Sequence, residues 1–421
     1  LTEPDFHTRC RPKRPCGVAT LFPRAEDFVM ELSMWTYPWD VQDLGYDAVE
    51  HELRERAGLN IISLATSYHA GRFLQPRSPR RKAYFPEDGT IYFRPTPSRW
   101  ADLVIKPKVA DVIEGQDVLA ELVRRREKGG LAVSCWTVCL HNTRLGMLHP
   151  AAVTRNAFGD PNFYNLCPSN PDARAYVRAL VEDVSRTYRP DRIELESPCF
   201  MGFAHEYHHE KDGVGLTPED DFLLSLCFCE ACLARAARAG VDGEPARRLV
   251  RQWIAETCEQ AVPARRFPAF PASGLDTFKP WPELHAWLLW RFEPVTSLVA
   301  ELREAADPAT KVVVIDLKDG WLGGCDLASL GQICDGAILC AYDMEPGAVE
   351  NLLAAGRLAL GAEKFLGTGY RLFFPEMSGP ETLAAKVAPA LGGKVDGINF
   401  YNYGLVPAAR LDWVKPALRQ G

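Results

Sequence analysis

Eight short apolar runs, separated by segments with helical spacing, constrain this chain more than any other feature of its sequence. They are FVMELSMW (28–35), LNIISLAT (59–66), LAVSCWT (131–137), DRIELES (191–197), KVVVIDL (311–317), DGAILCAY (335–342), KFLGTGY (364–370) and DGINFYNY (396–403). Each is too short for a buried helix and bounded by turn or polar residues, so each reads as a strand. Between them lie GYDAVEHELRERAG, DVLAELVRRREKGG and NPDARAYVRALVEDVSRTY, whose apolar residues recur at helical spacing. Eight such units over 421 residues predict an α/β chain folded as one (β/α)8 TIM barrel domain (1–421), with an extended N-terminal segment (1–25) and a loop insertion (66–115). An open doubly wound sheet is the alternative, and the absence of a G-x-G-x-x-G turn counts against it.

A barrel of this kind builds its site where the strands end. The first strand runs into Trp35, Tyr37, Trp39 and Asp40; the second into Tyr68, His69 and Arg72; the third into Trp136, His141 and Asn142. The fourth carries Glu194 and Glu196, and its loop His205, Glu206, His208 and His209. Asp316 ends the fifth, Tyr342 and Asp343 the sixth, Tyr370 and Arg371 the seventh, Asn399 and Tyr401 the eighth. Aromatic walls with several carboxylates suit a sugar, whose rings offer apolar C–H faces to aromatics and hydroxyls to polar groups. Strand alternation puts Ile193 and Leu195 toward the helices and both glutamates into the barrel, Glu196 nearer its mouth. A carboxylate there requires a partner or a task. Glu194 suits an ion pair with an internal Arg or Lys, or a contact to substrate; Glu196 suits chemistry.

The net charge of −7 leaves no basic footprint for nucleic acid or an anionic membrane, which points to a small-molecule partner. The opening LTEPDFHTRCRPKRPC lacks the apolar core of a signal peptide, and no run is apolar enough to span a bilayer, so the expected setting is the cytoplasm. Thirteen cysteines, an odd number in a long chain, then read as thiols. Most suit small apolar packing sites. Cys227, Cys229 and Cys232 differ: C-x-C-x2-C brings three sulfurs to one place, beyond a helix that Thr217 caps and Pro218 begins. A shared cation fits them. Tetrahedral zinc needs a fourth ligand, for which Cys167 in NLCPSNPDARAY is the candidate and Cys199 the competitor.

NLCPSNPDARAY, the carboxylate-bearing fourth strand and the C-x-C-x2-C segment together resemble the family 42 β-galactosidases and related barrel glycoside hydrolases. The resemblance covers about 160–235 and the barrel pattern. It implies a structural zinc on Cys167, Cys227, Cys229 and Cys232, no catalytic cofactor, Glu196 as the acid/base, a carbohydrate substrate, and a homo-oligomer, many members being trimers. The chain departs from that pattern where Leu195 precedes Glu196 and where the seventh strand ends Gly369-Tyr370-Arg371 without a nucleophilic glutamate. The leading expectation is a glycosidase with Glu196 and Asp343 as its pair, Asp316 or Glu206 replacing Asp343 otherwise. A divalent-metal sugar isomerase or lyase using Glu196, Asp316, Asp343 and one of His205, His208 or His209 is the second reading. A carbohydrate-binding barrel without catalysis is the third.

Overall fold

The computed structural model describes residues 29–113, 115–205, 210–316, 319–393 and 395–419. The segment 1–25, Glu206, His208, His209 and the side chain of Asp316 lie outside the described residues. Residues Glu31–Gly421 form one compact unit.

The eight runs become β1 (Glu31–Thr36), β2 (Ile61–Tyr68), β3 (Ala132–Val138), β4 (Arg192–Glu196), β5 (Lys311–Asp316), β6 (Gly336–Cys340), β7 (Phe365–Arg371) and β8 (Gly397–Tyr401). Every neighbouring pair among them is parallel, and β1 pairs with both β8 and β2. That double pairing closes the sheet, so the open doubly wound alternative is excluded and the fold is the (β/α)8 barrel. Helices start where the sequence signals them. Asn170 accepts hydrogen bonds from the amides of Asp172 and Ala173 at the head of Pro171–Asp183, and Thr217 caps Pro218–Ser225 through Asp220.

Residues between β2 and the helix Val118–Arg126 include a short antiparallel hairpin, Phe73–Leu74 with Ala83–Tyr84, and a strand, Thr90–Ile91, antiparallel to the end of β2. Their aromatic residues Phe73, Tyr84 and Tyr92 pack around Trp39, with ring centroids at 5.8, 5.0 and 5.5 Å. The insertion thus closes the β1–β2 side of the barrel mouth with an apolar cluster.

Inside the barrel the alternation along β4 holds: Ile193 and Leu195 are buried toward the helices, while Glu194 and Glu196 point inward. Glu194 is fully buried. It accepts hydrogen bonds from Trp35 Nε1 and Ser63 Oγ at 2.7 Å, Ser134 Oγ at 2.8 Å and Asn399 Nδ2 at 3.2 Å, and pairs with Arg192 at 2.7 Å. One carboxylate therefore ties β1, β2, β3 and β8 to β4. Arg192 continues downward to Glu31, and Phe365 lies 4.8 Å beneath its guanidinium. With its donors all supplied by the protein, Glu194 is the internal ion-pair partner that the sequence allowed, and it does not line the cleft. Asn399, expected at the substrate, is likewise a partner of Glu194.

Removing one member of such a buried pair strands the other charge. Glu194→Ala is expected to lower unfolding free energy by about 3–5 kcal/mol in urea titration; a loss under about 1 kcal/mol, the range of an exposed pair, would deny this carboxylate its structural weight.

Candidate active site

At the C-terminal ends of the strands the barrel opens into a cleft of about 510 Å³. Trp35, Tyr68, Trp136, Tyr342 and Tyr401 supply its barrel-side wall, and Phe200, Met201, Phe222 and Phe270 the wall contributed by the segments after β4. The rings contact one another: Trp136 lies 6.2 Å from Trp35, 5.1 Å from Tyr68 and 5.8 Å from Tyr401. Gly369 on β7 makes this possible, because a Cβ there would sit 2.9 Å from the Trp35 indole. Both indoles are fixed by carboxylates, Trp35 donating to Glu194 and Trp136 to Glu196.

Glu196 lines this cleft. Burial among the rings pushes its carboxyl from 4.5 up to about 7, and the Trp136 N–H pulls modestly the other way. The sequence suggests repulsion from Glu194 as the cause of a raised value. The structure assigns the shift to burial instead, because Arg192 already neutralises Glu194. Asp221, on the helix Pro218–Ser225, is the second cleft carboxylate with a raised value; burial is the main cause, opposed by the Ala204 N–H. Asp319 also lines the cleft, as does Arg371. Arg371 bonds Glu376 and lies 5.4 Å from the Tyr342 ring and 5.6 Å from Phe373.

The histidines form a column beside this wall. His69 stacks on Tyr68 at 4.2 Å and on His141 at 3.8 Å, and His141 meets His205, which reaches the cleft, at 4.7 Å. Burial lowers His69 to about 4 and takes His141 well below the ordinary imidazole range, so both are neutral at pH 7.

Of the expected site residues, Trp35, Trp136, Glu196, His205, Arg371 and Tyr401 therefore meet in one cleft. Others stand behind it or away from it. Tyr37 stacks on Trp39 at 4.4 Å and meets the Tyr401 hydroxyl at 3.1 Å, supporting the wall from behind. Asn142 caps the helix Thr143–Leu148 by accepting from the Leu145 amide, and Arg72 is exposed. Tyr370 is on the opposite side of β7 from Arg371, packed 6.4 Å from Phe400, because alternate strand residues face opposite ways. Asp343 is exposed on the turn after β6 and is not among the cleft residues, which also removes one ligand from the catalytic-metal reading. The sequence reading missed Asp221: PEDD reads only as a helix start, and nothing local says which barrel face the helix overhangs.

The sulfur cluster lies apart from these groups. Cys167, Cys227, Cys229 and Cys232 are buried, and their sulfurs all lie within 4.8 Å of one another, so they could hold a metal ion; among the described residues no other such group occurs. Cys199, the competing fourth ligand, lines the cleft. Cys167 Sγ is 4.0, 3.6 and 3.5 Å from the other three, close to the roughly 3.8 Å edge of a tetrahedron with about 2.3 Å metal–sulfur bonds. The Ser169 and Arg155 amides donate to Cys167 and Cys227 at 3.4 and 3.3 Å. As bare thiols the set is divided: burial raises Cys167 and Cys232, while hydrogen bonds from Cys167, Cys227 and Cys232 lower Cys229.

A larger open depression, about 1080 Å³, lies over the helices Pro171–Asp183 and Glu230–Arg238. None of its lining residues comes from a barrel strand, and its Arg174 is already paired with Glu301, so the cleft at Glu196 is the candidate active site.

No protein-family model and no curated protein sequence matches this chain. Solved structures do resemble it. The glycoside hydrolase domain of PgaB (BpsB) from Bordetella bronchiseptica superposes with a TM-score of 0.54 at 14% identity, over 92% of this chain and 99% of that one. The catalytic domain of beta-amylase from Paenibacillus polymyxa gives 0.52 at 10% identity, over 92% and 98%. Alpha-L-fucosidase isoenzyme 2 from Paenibacillus thiaminolyticus gives 0.53 at 13% identity, over 93% of this chain and 49% of that enzyme, so the chain spans about half of its length. At these identities the likeness shows the fold: this is an eight-stranded parallel barrel of the kind that glycoside hydrolases use.

The raised carboxyl makes stability depend on pH. Between pH 4.5 and about 7 the folded state holds a proton at Glu196 that the unfolded state has released, so stability falls as pH rises through that window. Glu196→Gln lacks this loss and is expected to exceed the wild type at pH 8 by on the order of 2 kcal/mol, discounted for partial exposure to the cleft, while matching it near pH 4.5. Urea titrations at the two pH values check this, and a gap that does not change with pH would contradict it.

Proposed function

We propose that this chain is a carbohydrate-active hydrolase that cleaves a glycosidic bond in the cleft, with Glu196 as the proton donor. One observation carries the reading: a carboxyl pushed to about 7 by burial, anchored by an indole N–H, in a cleft walled by aromatic rings. Such a group keeps its proton near neutral pH and can deliver it to a leaving oxygen. The rings offer stacking faces for the sugar, and the cleft volume falls in the range of small-ligand sites.

We assign the second carboxylate to Asp221 in place of Asp343, because Asp221 lines the cleft and Asp343 does not. Asp316, at the end of β5, is its alternative. Glu196 protonates the glycosidic oxygen as its bond to the anomeric carbon breaks. The partner, in its carboxylate form, either attacks that carbon, with water later hydrolysing the ester, or takes a proton from the water that attacks directly. One water is consumed, and Glu196 recovers its proton. Activity should decline as pH rises through about 7, where Glu196 ionises.

We also propose that the four thiolates hold a structural zinc, which would complete a closed tetrahedron and supply no chemistry to the cleft. The fit of the sulfur spacing supports this, and free thiols of this kind suit the reducing cytoplasm.

The test of the hydrolase reading compares two variants on glycosides with good and poor leaving groups. Glu196→Gln should slow poor leaving groups by about 10²–10⁴-fold and activated aryl glycosides much less, since only the former need the proton. Asp221→Asn should slow both. Full activity of Glu196→Gln on a poor leaving group would remove Glu196 from the acid role; full activity of Asp221→Asn would move the second role to Asp316.

A further inference from the structure

Arg291 is a buried charge that neither the barrel core nor the cleft chemistry explains. It joins the helices Pro282–Trp290 and Phe292–Ala305 and is 1% exposed. Its Nη2 donates to the Leu322 carbonyl at 2.9 Å, while its Nε has no partner. The guanidinium lies 4.8 Å from the Phe200 ring and 5.6 Å from that of Phe222. No carboxylate among the described residues forms an ion pair with it. An isolated buried cation is expensive, and Arg keeps its charge where other side chains would neutralise.

Packing ties Arg291 to the sulfur cluster: Trp287, one turn earlier, stacks at 5.0 Å on Phe228, which lies between Cys227 and Cys229, and Glu293, two residues later, pairs at 2.7 Å with Arg235 on the helix that carries Cys232; ionised Cys227 and Cys232 would favour the guanidinium from that side. The helices that Arg291 joins thus pack against the sulfur-cluster segment, while Arg291 itself contacts Leu322, Phe200 and Phe222. Four thiolates on a divalent ion leave a formal charge of about two negatives, which amide donors soften without cancelling. On its other side, Phe200, Phe222 and Leu322 all line the cleft.

We infer that Arg291 is the counter-charge of a metal–thiolate centre at Cys167, Cys227, Cys229 and Cys232, and that through Phe200, Phe222 and Leu322 it makes the cleft wall depend on that centre. The inference rests on the metal reading above and is independent of the hydrolase reading. Metal loss would leave Arg291 without an opposing charge, and the segment 319–325 would lose its fixed neighbour. Arg291 is accordingly a positioning residue.

The experiment uses the full chain as purified, with its zinc content measured directly and the rate of zinc transfer to an excess of a chromophoric chelator followed. Arg291→Met should release zinc about tenfold or more faster than the wild type, and Arg291→Lys, which restores the charge, should stay closer to it. Equal release rates in wild type and Arg291→Met would overturn the inference while leaving the zinc site standing. A chain that holds no zinc, even after reconstitution, would overturn both. Should Arg291→Met fail to fold, the wild type alone decides: stripping zinc should accelerate hydrogen exchange at 319–325 and 199–202, and unchanged exchange there would refute the coupling.

Discussion

The pairing of Glu194 with Arg192, shared with Trp35, Ser63, Ser134 and Asn399, is the interaction on which the rest of this barrel depends. A closed sheet must fill its interior, and most barrels do so with apolar side chains. Here a carboxylate occupies the centre and is satisfied by donors from four other strands. The arrangement specifies register, since a slip of one residue would turn those donors outward. It also holds the Trp35 indole upright, and Trp35 is in turn part of the cleft wall.

Two glutamates two residues apart on one strand illustrate how environment divides roles. Glu194 is surrounded by donors and a cation; Glu196, one layer higher, has rings and a single indole N–H. The same side chain is thus a fixed anion below and a proton carrier above. Asp221 and Asp319 place further carboxylates around the cleft, from segments that are not barrel strands. The aromatic walls exclude water from the carboxyl and present flat faces to a ligand. Burial sets the proton affinity, and the rings that cause it also line the cleft.

The fold was legible because eight short apolar runs and their helical spacers are local signals, while closure of the sheet was decided by the pairing of β1 with both β8 and β2. Glu194 and Glu196 were legible as inward residues for the same reason. Thr217 and Pro218 marked a helix start by short-range capping chemistry, and the spacing of Cys227, Cys229 and Cys232 marked the cluster, with Cys167 and Cys199 both open as the fourth member. Placement set by tertiary packing is less legible. Tyr370 and Arg371 are adjacent in sequence but on opposite sides of β7, and only Arg371 lines the cleft. Asp343 follows a strand closely yet turns to solvent, whereas Asp221, 25 positions beyond the end of β4, returns to the cleft on a helix. The position of such a helix is decided by tertiary packing, which no local pattern encodes.

Burial among aromatic rings holds the Glu196 proton up to about pH 7. The measurement that addresses it most directly is an infrared difference titration of the wild type against Glu196→Gln, which isolates the carbonyl band of this one carboxyl. The band is expected to persist well above pH 4.5 and to disappear with a midpoint near 7. A midpoint near 4.5, the ordinary glutamate value, would show that the carboxyl is an anion at neutral pH and that burial does not hold its proton.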